Sequence, residues 1–380
     1  MRISYITTYD ASDIKNWSGI GFYAAKSLKD QGEEVDYVGN LTRELTPALL
    51  FKKAFYKIIG KSYLIDLVPS IDIAKDYAKQ IESRIKLDSD VIFSPGNLHT
   101  AFVKSNKPKV FYADATFAKL INFYDHYTDL SAEIIKTGNE IEQEALDSCS
   151  LAIYTSSWAA QSAINDYHIN PNKVKIVPFG ANIECNRNLQ DIKAIVNSRS
   201  KDVCKLLFLG IDWDRKGGYL ALEVARLLNL NGLKTILHVA GIRELPFKVM
   251  PDYVINHGYI NKANAAGRQK IDHLLAECHF LILPSKADCT PVAFSEANSF
   301  GLPCITTDVG GISSVIEDDI NGKMFTLQDE PDKYVAYIQQ VIENATGYSD
   351  FCLSSFNQYS TKLNWQKAGE NIVSLLKETI

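Results

Sequence analysis

Short apolar segments alternate with helical patterns along almost the whole 380-residue chain. A short apolar run followed by an amphipathic stretch is typical of a β-α-β unit, and repeated units of this kind form parallel sheets. Predicted strands lie at residues 3–7, 35–38, 91–94, 110–112, 151–154, 173–177, 206–210, 236–240, 253–257, 280–283 and 304–307. Predicted helices lie at residues 21–30, 131–148, 218–228, 265–277 and 291–300. The pattern predicts an α/β protein.

The length of the chain suits two domains better than one core. A polar and charged stretch separates two strand-rich halves of the sequence. We therefore predict a first Rossmann-like domain at residues 1–183, an interdomain connection at 184–203 and a second Rossmann-like domain at 204–360. The last segment, 361–380, has the pattern of an amphipathic helix. Ligands of such sheets bind at the carboxyl ends of the strands.

Composition excludes several classes of function. The net charge of −5 gives no electrostatic case for a nucleic-acid partner. Seven scattered cysteines without a C-x-x-C pair indicate reduced thiols in the cytoplasm, and they form neither a disulfide pattern nor a metal-ligand cluster. No apolar run reaches the ~18 residues of a membrane-spanning helix. We expect a cytoplasmic protein, with a peripheral position on the inner face of the membrane as the alternative.

The segment 279–311 carries the first group of candidate site residues. A strand at its start leads into a polar loop with Asp288, then into a helix N-terminus at Thr290, Pro291 and Val292, with Glu296 inside the helix. Free backbone N–H groups at a helix N-terminus favour anions. Two carboxylates beside them can accept hydrogen bonds from hydroxyl groups, and this combination fits a nucleotide-sugar. Alone, Asp288 could simply complement the helix dipole.

A second group follows the strand at 206–210. Arg215 and Lys216 precede a glycine pair that opens a helix. Cations at the carboxyl edge of a sheet can neutralise a diphosphate leaving group. The alternative is that both side chains are solvated residues at the start of a surface helix.

The first half of the chain contributes two weaker candidates. Gly19 and Gly21 lie at a predicted helix start, where glycine lets the backbone approach a phosphate closely. They also match a dinucleotide fingerprint loosely, although that fingerprint needs glycines directly after the strand. Asp114 ends another strand and could accept a proton or orient a sugar; as the alternative, it could cap a helix. His99 is a lower-ranked rival near the end of a neighbouring strand.

Residues 49–64 hold four lysines, no acidic residue and many large apolar side chains. A basic amphipathic segment of this type can lie on an anionic membrane surface. It can equally cover part of the first domain in an enzyme that never meets a membrane.

Together these motifs resemble the retaining GT-B glycosyltransferases of family 4, the glycosyl transferases group 1. The acidic signature of that family stands here as Asp288 and Glu296 with seven residues between them, followed in register by Ala297, Gly301 and Pro303. Lys216 and Gly217 match the Lys-Gly of a second family motif. Three positions depart from the family pattern: Asp288 replaces a glutamate, Ile211 an arginine and Asp114 a histidine.

The resemblance implies a GT-B fold, in which two Rossmann-like domains face a central cleft and the C-terminal helix often crosses back to the first domain. It implies a hexosyltransferase-like enzyme that moves a sugar from a nucleoside-diphosphate sugar to a hydroxyl of a glycan or lipid-linked acceptor, with retention at the anomeric carbon. Polysaccharide biosynthesis is the usual setting. The nucleotide-sugar is a co-substrate, and neither a cofactor nor a metal is expected.

The resemblance also implies roles for single residues. Lys216, with Arg215, would bind the diphosphate. Glu296 would bind the ribose, Asp288 the hydroxyls of the donor sugar, and Asp114 would lie on the acceptor side. The N–H groups of Thr290 and Val292, on either side of Pro291, and the loop with Gly19 and Gly21 would assist.

Two alternatives remain open from the sequence. The three departures from the family pattern fit a non-catalytic nucleotide-sugar-binding protein of the same fold. The glycines at 19 and 21 leave room for a nicotinamide-dependent oxidoreductase.

Overall fold

The computed structural model describes residues 1–43, 47–58, 60–61 and 70–380. They form two compact units. The first unit contains Met1–Pro178 together with Trp365–Ile380, and the second contains Phe179–Asn364. Each unit has a parallel six-stranded sheet with helices packed around it. The α/β class predicted from the sequence is confirmed.

All strand pairs within the described sheets are parallel. The first sheet has the order β2-β1-β3-β4-β5-β6 and the second β12-β11-β10-β7-β8-β9. The strands are β1 Arg2–Ile6, β2 Glu34–Val38, β3 Val91–Ser94, β4 Lys109–Ala113, β5 Leu151–Tyr154, β6 Val174–Ile176, β7 Cys204–Leu209, β8 Thr235–Ala240, β9 Val254–Asn256, β10 Phe280–Leu283, β11 Cys304–Thr307 and β12 Gly322–Phe325.

Several helices begin at a side-chain cap, including Ser70, Ser131, Ser156, Asn188 and Asn264, each of which accepts a hydrogen bond from a first-turn N–H group. The helices are α1 Ile20–Asp30, α2 Pro47–Ile58, α3 Ile71–Glu82, α4 Phe117–Leu120, α5 Ala132–Ser148, α6 Ser157–Asn165, α7 Leu189–Ser198, α8 Gly218–Leu230, α9 Ala265–Glu277, α10 Val292–Asn298, α11 Pro331–Glu343, α12 Ala345–Thr361 and α13 Trp365–Thr379. None of the helices in these described ranges is long and apolar enough to cross a membrane.

The final helix, α13, packs against α1 within the first unit. Gly369 lies so close to the carbonyl of Ser27 that an added Cβ would approach this oxygen to 2.7 Å. Trp365 stacks on Tyr23 at a centroid distance of 6.4 Å, and Lys377 pairs with Glu33 at 3.2 Å. The chain therefore ends in the unit in which it began.

The segment 184–203, which we expected to connect the domains, contains helix α7. Ile192 and Val196 on α7 are buried in the core of the second unit. The predicted helix at 291–300 is shorter in the structure, since α10 ends at Asn298. Gly301, whose φ of 58° favours glycine, follows closely and turns the chain toward β11.

Candidate functional site

The strongest cluster lies where β7 and β10, adjacent strands of the second sheet, end. The loop after β7 carries Lys216 and the loop after β10 carries Asp288, and the two side chains form an ion pair. Arg215 also approaches Asp288, with its Nη1 3.5 Å from the carboxylate. The side chains of Asp288 and Lys216 are only 8% and 11% exposed. Two cations and one acid thus meet in a nearly buried group.

Arg215 is fixed from several sides. Its Nε donates to Asp212 at 3.2 Å and its Nη1 donates to the carbonyl of Ala287 at 2.9 Å. Its own carbonyl accepts from the N–H of Lys286 at 2.8 Å. A guanidinium held in this way is oriented before any ligand arrives. The structure therefore does not support the alternative that Arg215 is a solvated residue of a surface helix.

Gly217 explains why the two loops can approach each other. Its φ is 77°, and a Cβ at this position would lie 2.0 Å from the carbonyl oxygen of Pro284, directly after β10. Only glycine fits a left-handed backbone with such a close neighbour. The Lys-Gly sequence therefore sets both the charge and the contact between the loops.

Glu296 lies on α10 and is 2% exposed. Thr290 and Pro291 precede this helix, Pro291 is its N-cap and Val292 its first residue. The N–H of Gly311 donates to the carbonyl of Asp288 at 3.2 Å. The glycine pair after β11 therefore contacts the loop that carries Asp288. Asp288, Glu296 and residues 290–292 thus belong to one continuous segment after β10, as the sequence motif predicts.

Sequence reasoning missed one residue of this cluster. Lys262, in the loop after β9, places its Nζ 2.5 Å from Oε1 of Glu296. Its position beyond the carboxyl end of a predicted strand was the signal that could have identified it. The predicted ribose-binding acid therefore already has a cationic neighbour.

The candidate residues of the first unit lie around the carboxyl ends of β1, β3 and β4. Gly19, with a φ of 87°, is the N-cap of α1. A Cβ on Gly21 would lie 2.4 Å from the hydroxyl of Tyr9. Since β1 ends at Ile6, these glycines do not directly follow the strand, and the position required for a dinucleotide fingerprint is not met.

Asp114 directly follows β4 and is partly buried. The next helix, α4, is held by Glu142, a fully buried acid on α5. Its carboxyl group accepts from the amide of Asn97 at 2.5 Å and from the N–H of Phe117 at 3.2 Å. Burial raises the pKa of Glu142 to about 8. The buried carboxyl group of Glu142 therefore holds the first residue of α4, three positions after Asp114.

His99, the lower-ranked rival, pairs with the hydroxyl of Ser94 at 2.7 Å. Burial lowers the pKa of His99 to about 4, so its imidazole is neutral near pH 7. This environment favours a structural role for the side chain.

Helix α2 covers residues 49–58 of the basic segment 49–64; residues 59 and 62–64 of that segment lie outside the described residues. Phe51, Phe55 and Ile58 are spaced to share one face of the helix. Their side chains are 73%, 49% and 83% exposed. On another side, Lys52 pairs with Glu133 of α5 at 2.6 Å. The helix is therefore anchored to the first unit and presents an apolar stripe to solvent.

Comparison with known proteins finds a family model that matches part of the chain. Residues 191–352 match the family model of the glycosyl transferases group 1. A segment is 24% identical over 172 residues to an Escherichia coli UDP-Gal:alpha-D-GlcNAc-diphosphoundecaprenol alpha-1,3-galactosyltransferase. This alignment covers 44% of each chain, so the match spans less than half the length of that relative.

Solved structures resemble the whole chain. Sucrose-phosphate synthase from Thermosynechococcus elongatus has a TM-score of 0.69 at 15% identity, covering 100% of this chain and 98% of that one. Anabaena HepE in complex with UDP-glucose has a TM-score of 0.62 at 14% identity, with both chains covered completely. At these identities the likeness establishes the fold.

The protein has the GT-B fold of two Rossmann-like units predicted from the sequence. Residues 191–352, which lie in its second unit, are similar to the glycosyl transferases group 1 family.

Proposed function

We propose that the protein is a retaining glycosyltransferase that moves a hexose from a UDP-hexose to an acceptor hydroxyl. The observation that carries this proposal is the cluster of Lys216, Arg215 and Asp288 beside Glu296, inside the segment that matches the family model. Uridine is the base we propose because the E. coli relative is described as using UDP-Gal and the Anabaena protein was solved with UDP-glucose.

Lys216 and Arg215 are the groups we assign to the diphosphate. Charge builds up on the leaving diphosphate as the glycosidic bond breaks, and two oriented cations in a nearly buried site stabilise it effectively. The N–H groups of Thr290 and Val292, on either side of Pro291, add donors at the start of α10. These groups supply the electrostatic work of the reaction without a cofactor or a metal.

Asp288 and Glu296 are the acids we assign to hydroxyl groups, Asp288 to the donor sugar and Glu296 to the ribose. Ionised carboxylates accept hydroxyl hydrogen bonds strongly. Asp288 is also the counter-ion of Lys216, and a diphosphate that binds Lys216 would leave Asp288 available for the sugar. We assign retention to attack on the face from which the diphosphate leaves, with the leaving phosphate accepting the acceptor proton, and no protein nucleophile takes part.

Asp114, Gly19 and Gly21 belong to the first unit, and their roles toward acceptor and donor stay predictions. The acceptor we propose is a glycan or a lipid-linked saccharide, the class named for the E. coli relative. Contact with the inner face of a membrane through α2 would bring such an acceptor to the enzyme. A cytoplasmic location agrees with the seven cysteines, all of which are free thiols.

Donor hydrolysis without an acceptor tests this proposal and its stereochemistry together. Proton NMR would follow UDP-α-galactose and UDP-α-glucose incubated with the full chain, before the released sugar mutarotates. The expected first product is the α-anomer of the hexose, at a rate that falls at least tenfold in Lys216→Met. A β-anomer as first product would overturn retention.

The same measurement separates the enzyme from the binding-protein alternative. Lipid-linked saccharides from a bacterial membrane extract serve as acceptors. If UDP-hexose binds in a titration but is neither hydrolysed nor transferred to these acceptors, the protein is a non-catalytic nucleotide-sugar-binding protein. Lys286→Met is the matched control, because it removes an exposed lysine from the loop after β10. We expect this variant to behave like the unaltered protein.

A further inference from the structure

The two carboxylate oxygens of Glu296 have different surroundings. Its side chain is 2% exposed, and its Oε1 accepts from Lys262. Its Oε2 receives no hydrogen bond from any residue that the structure describes. A buried carboxylate without a cationic partner is costly, and Lys262 is the cation that pairs with this one. One oxygen is engaged by the protein and the other remains for a ligand.

Lys262 is itself held in position by its loop. Arg268 donates from Nη1 to the carbonyls of Lys262 and Ala263, at 3.2 and 3.0 Å. The side chain of Asn261 accepts from the N–H of Ala263 at 2.9 Å. The loop therefore has a defined shape before α9 begins, and it presents the ammonium group to Glu296.

Gly267 lets α9 start directly under this loop. A Cβ on Gly267 would lie 1.9 Å from the carbonyl oxygen of Asn261. Asn264 caps the helix by accepting from the N–H of Gly267 at 2.7 Å. The start of α9 thus fixes the backbone on both sides of Lys262.

The pair differs from an ordinary surface ion pair. Exposed pairs contribute little, because water screens both charges and both side chains lose freedom. Here Lys262 is 39% exposed, while its partner is almost completely buried. Removal of Lys262 would take away the cation that contacts Oε1 of Glu296, so its main effect falls on the orientation of the Glu296 carboxylate.

We infer that Lys262 is a positioning residue of the nucleotide site, which holds Glu296 so that its second oxygen accepts the ribose hydroxyls. This inference rests on the proposed function, in which Glu296 binds ribose. It assigns discrimination between ribonucleotides and deoxyribonucleotides to the Lys262–Glu296 pair rather than to Glu296 alone.

Calorimetric titration of the full chain with UDP, 2′-deoxy-UDP and 3′-deoxy-UDP tests the inference. A hydrogen bond to a charged group corresponds to roughly a tenfold change in affinity or more, so the unaltered protein should prefer UDP over at least one deoxy analogue by about this factor. Lys262→Met should bring this preference close to one. Lys262→Arg should restore most of it, since a cation again reaches Glu296. Lys270→Met, an exposed lysine on α9, is the matched control and should keep the preference.

The outcomes distinguish failure of the proposed donor site from failure of the role assigned to Lys262. Failure of the unaltered protein to bind UDP would overturn the proposed donor site. If UDP binds and Glu296→Gln loses the preference for ribose while Lys262→Met keeps it, the donor site stands and the role of Lys262 is wrong. A Lys262→Met variant that binds UDP and both deoxy analogues more weakly by one common factor would also contradict that role. The melting temperature of each variant without ligand checks that it is folded.

Discussion

At the scale of single residues, the two acids of the proposed donor site are paired with cations of the protein. Asp288 neutralises Lys216 and lies 3.5 Å from Arg215, and Glu296 pairs with Lys262. A diphosphate that binds these cations competes with the protein's own carboxylates. The charges of the site are therefore linked, and a change at one acid affects the binding of phosphate as well as of sugar.

Asp288→Asn should change the binding of nucleotide and nucleotide-sugar in opposite directions. The loss of the carboxylate frees Lys216 and removes repulsion against the diphosphate, so UDP should bind several-fold more tightly. UDP-hexose should lose the part of its affinity that comes from the hydroxyl groups of the sugar. Calorimetry with UDP, UDP-glucose and UDP-galactose measures both effects.

Asp214→Asn is the control for the Asp288 variant, because Asp214 is an exposed acid in the loop after β7. This variant should leave the ratio of the two affinities unchanged. Equal weakening of UDP and UDP-hexose by Asp288→Asn would show that Asp288 only maintains the fold of the loop.

Glu142 should make the stability of the protein depend on pH. Burial raises the pKa of its carboxyl group to about 8 from 4.5, so the folded state binds the proton more tightly than the unfolded state. The resulting stabilisation is complete below pH 4.5 and is lost as the pH rises through 8. Each unit of the pKa difference corresponds to about 1.4 kcal/mol.

Glu142→Gln removes this titration, and the variant should lose less stability than the unaltered protein between pH 5 and pH 9. Melting temperatures of both proteins across this range measure the effect. Parallel curves would mean that Glu142 does not carry the proton in the folded state.

At the scale of elements, α2 offers the clearest testable surface. The apolar stripe of Phe51, Phe55 and Ile58 is flanked by lysines, a pattern that favours anionic membranes. Phe51→Glu with Phe55→Glu should reduce sedimentation with vesicles of anionic phospholipid at least tenfold. UDP binding, which we propose for the second unit, should stay unchanged.

Vesicles of neutral phospholipid provide the comparison for α2, and the protein should bind them weakly. If anionic vesicles sediment the double variant as well as the unaltered protein, α2 is not the membrane contact. Equal binding to neutral and anionic vesicles would show that the lysines of α2 do not contribute to membrane binding.

The sequence predicts the central elements well because they are buried and strongly apolar. Strands such as β3, β5, β10 and β11 occur where the apolar runs predict them, within the error expected at element ends. Strand β12 was missed, since Gly322 and Lys323 interrupt its apolar pattern. Helices α7 and α12 were not predicted, because their sequences mix polar and apolar residues and their buried faces are set by tertiary packing.

For the site, sequence reasoning predicts the charged residues but not their partners. Lys216, Asp288 and Glu296 follow from motif spacing, whereas Arg215 follows from its place next to Lys216. The pairing of Lys262 with Glu296 joins loops 34 positions apart, and no local pattern specifies such a contact. Gly217 belongs to the motif, yet its close approach to Pro284 appears only in three dimensions.

At the scale of the whole molecule, the chain returns to its first unit through α13. Gly369→Leu should destabilise that unit, because the new side chain meets the backbone of Ser27 and forces α13 away from α1. A loss of about 1–3 kcal/mol is typical of such overpacking. Thermal unfolding followed by circular dichroism should show a lower melting temperature for the first unit. UDP should still stabilise the second unit.

Asn371→Leu is the control for the helix contact, since Asn371 is exposed on α13. It should unfold like the unaltered protein. Equal melting curves for Gly369→Leu and Asn371→Leu would contradict a close contact between α13 and α1.

Nucleotide binding by the second unit is the central claim, and calorimetric titration of the full chain with UDP, GDP, ADP and TDP tests it most directly. We predict binding selective for UDP that falls at least tenfold in Lys216→Met, because the variant removes a nearly buried cation from the diphosphate site. Lys286→Met should bind UDP normally. Absence of binding with all four nucleotides, or equal UDP affinity in Lys216→Met and the unaltered protein, would contradict the account.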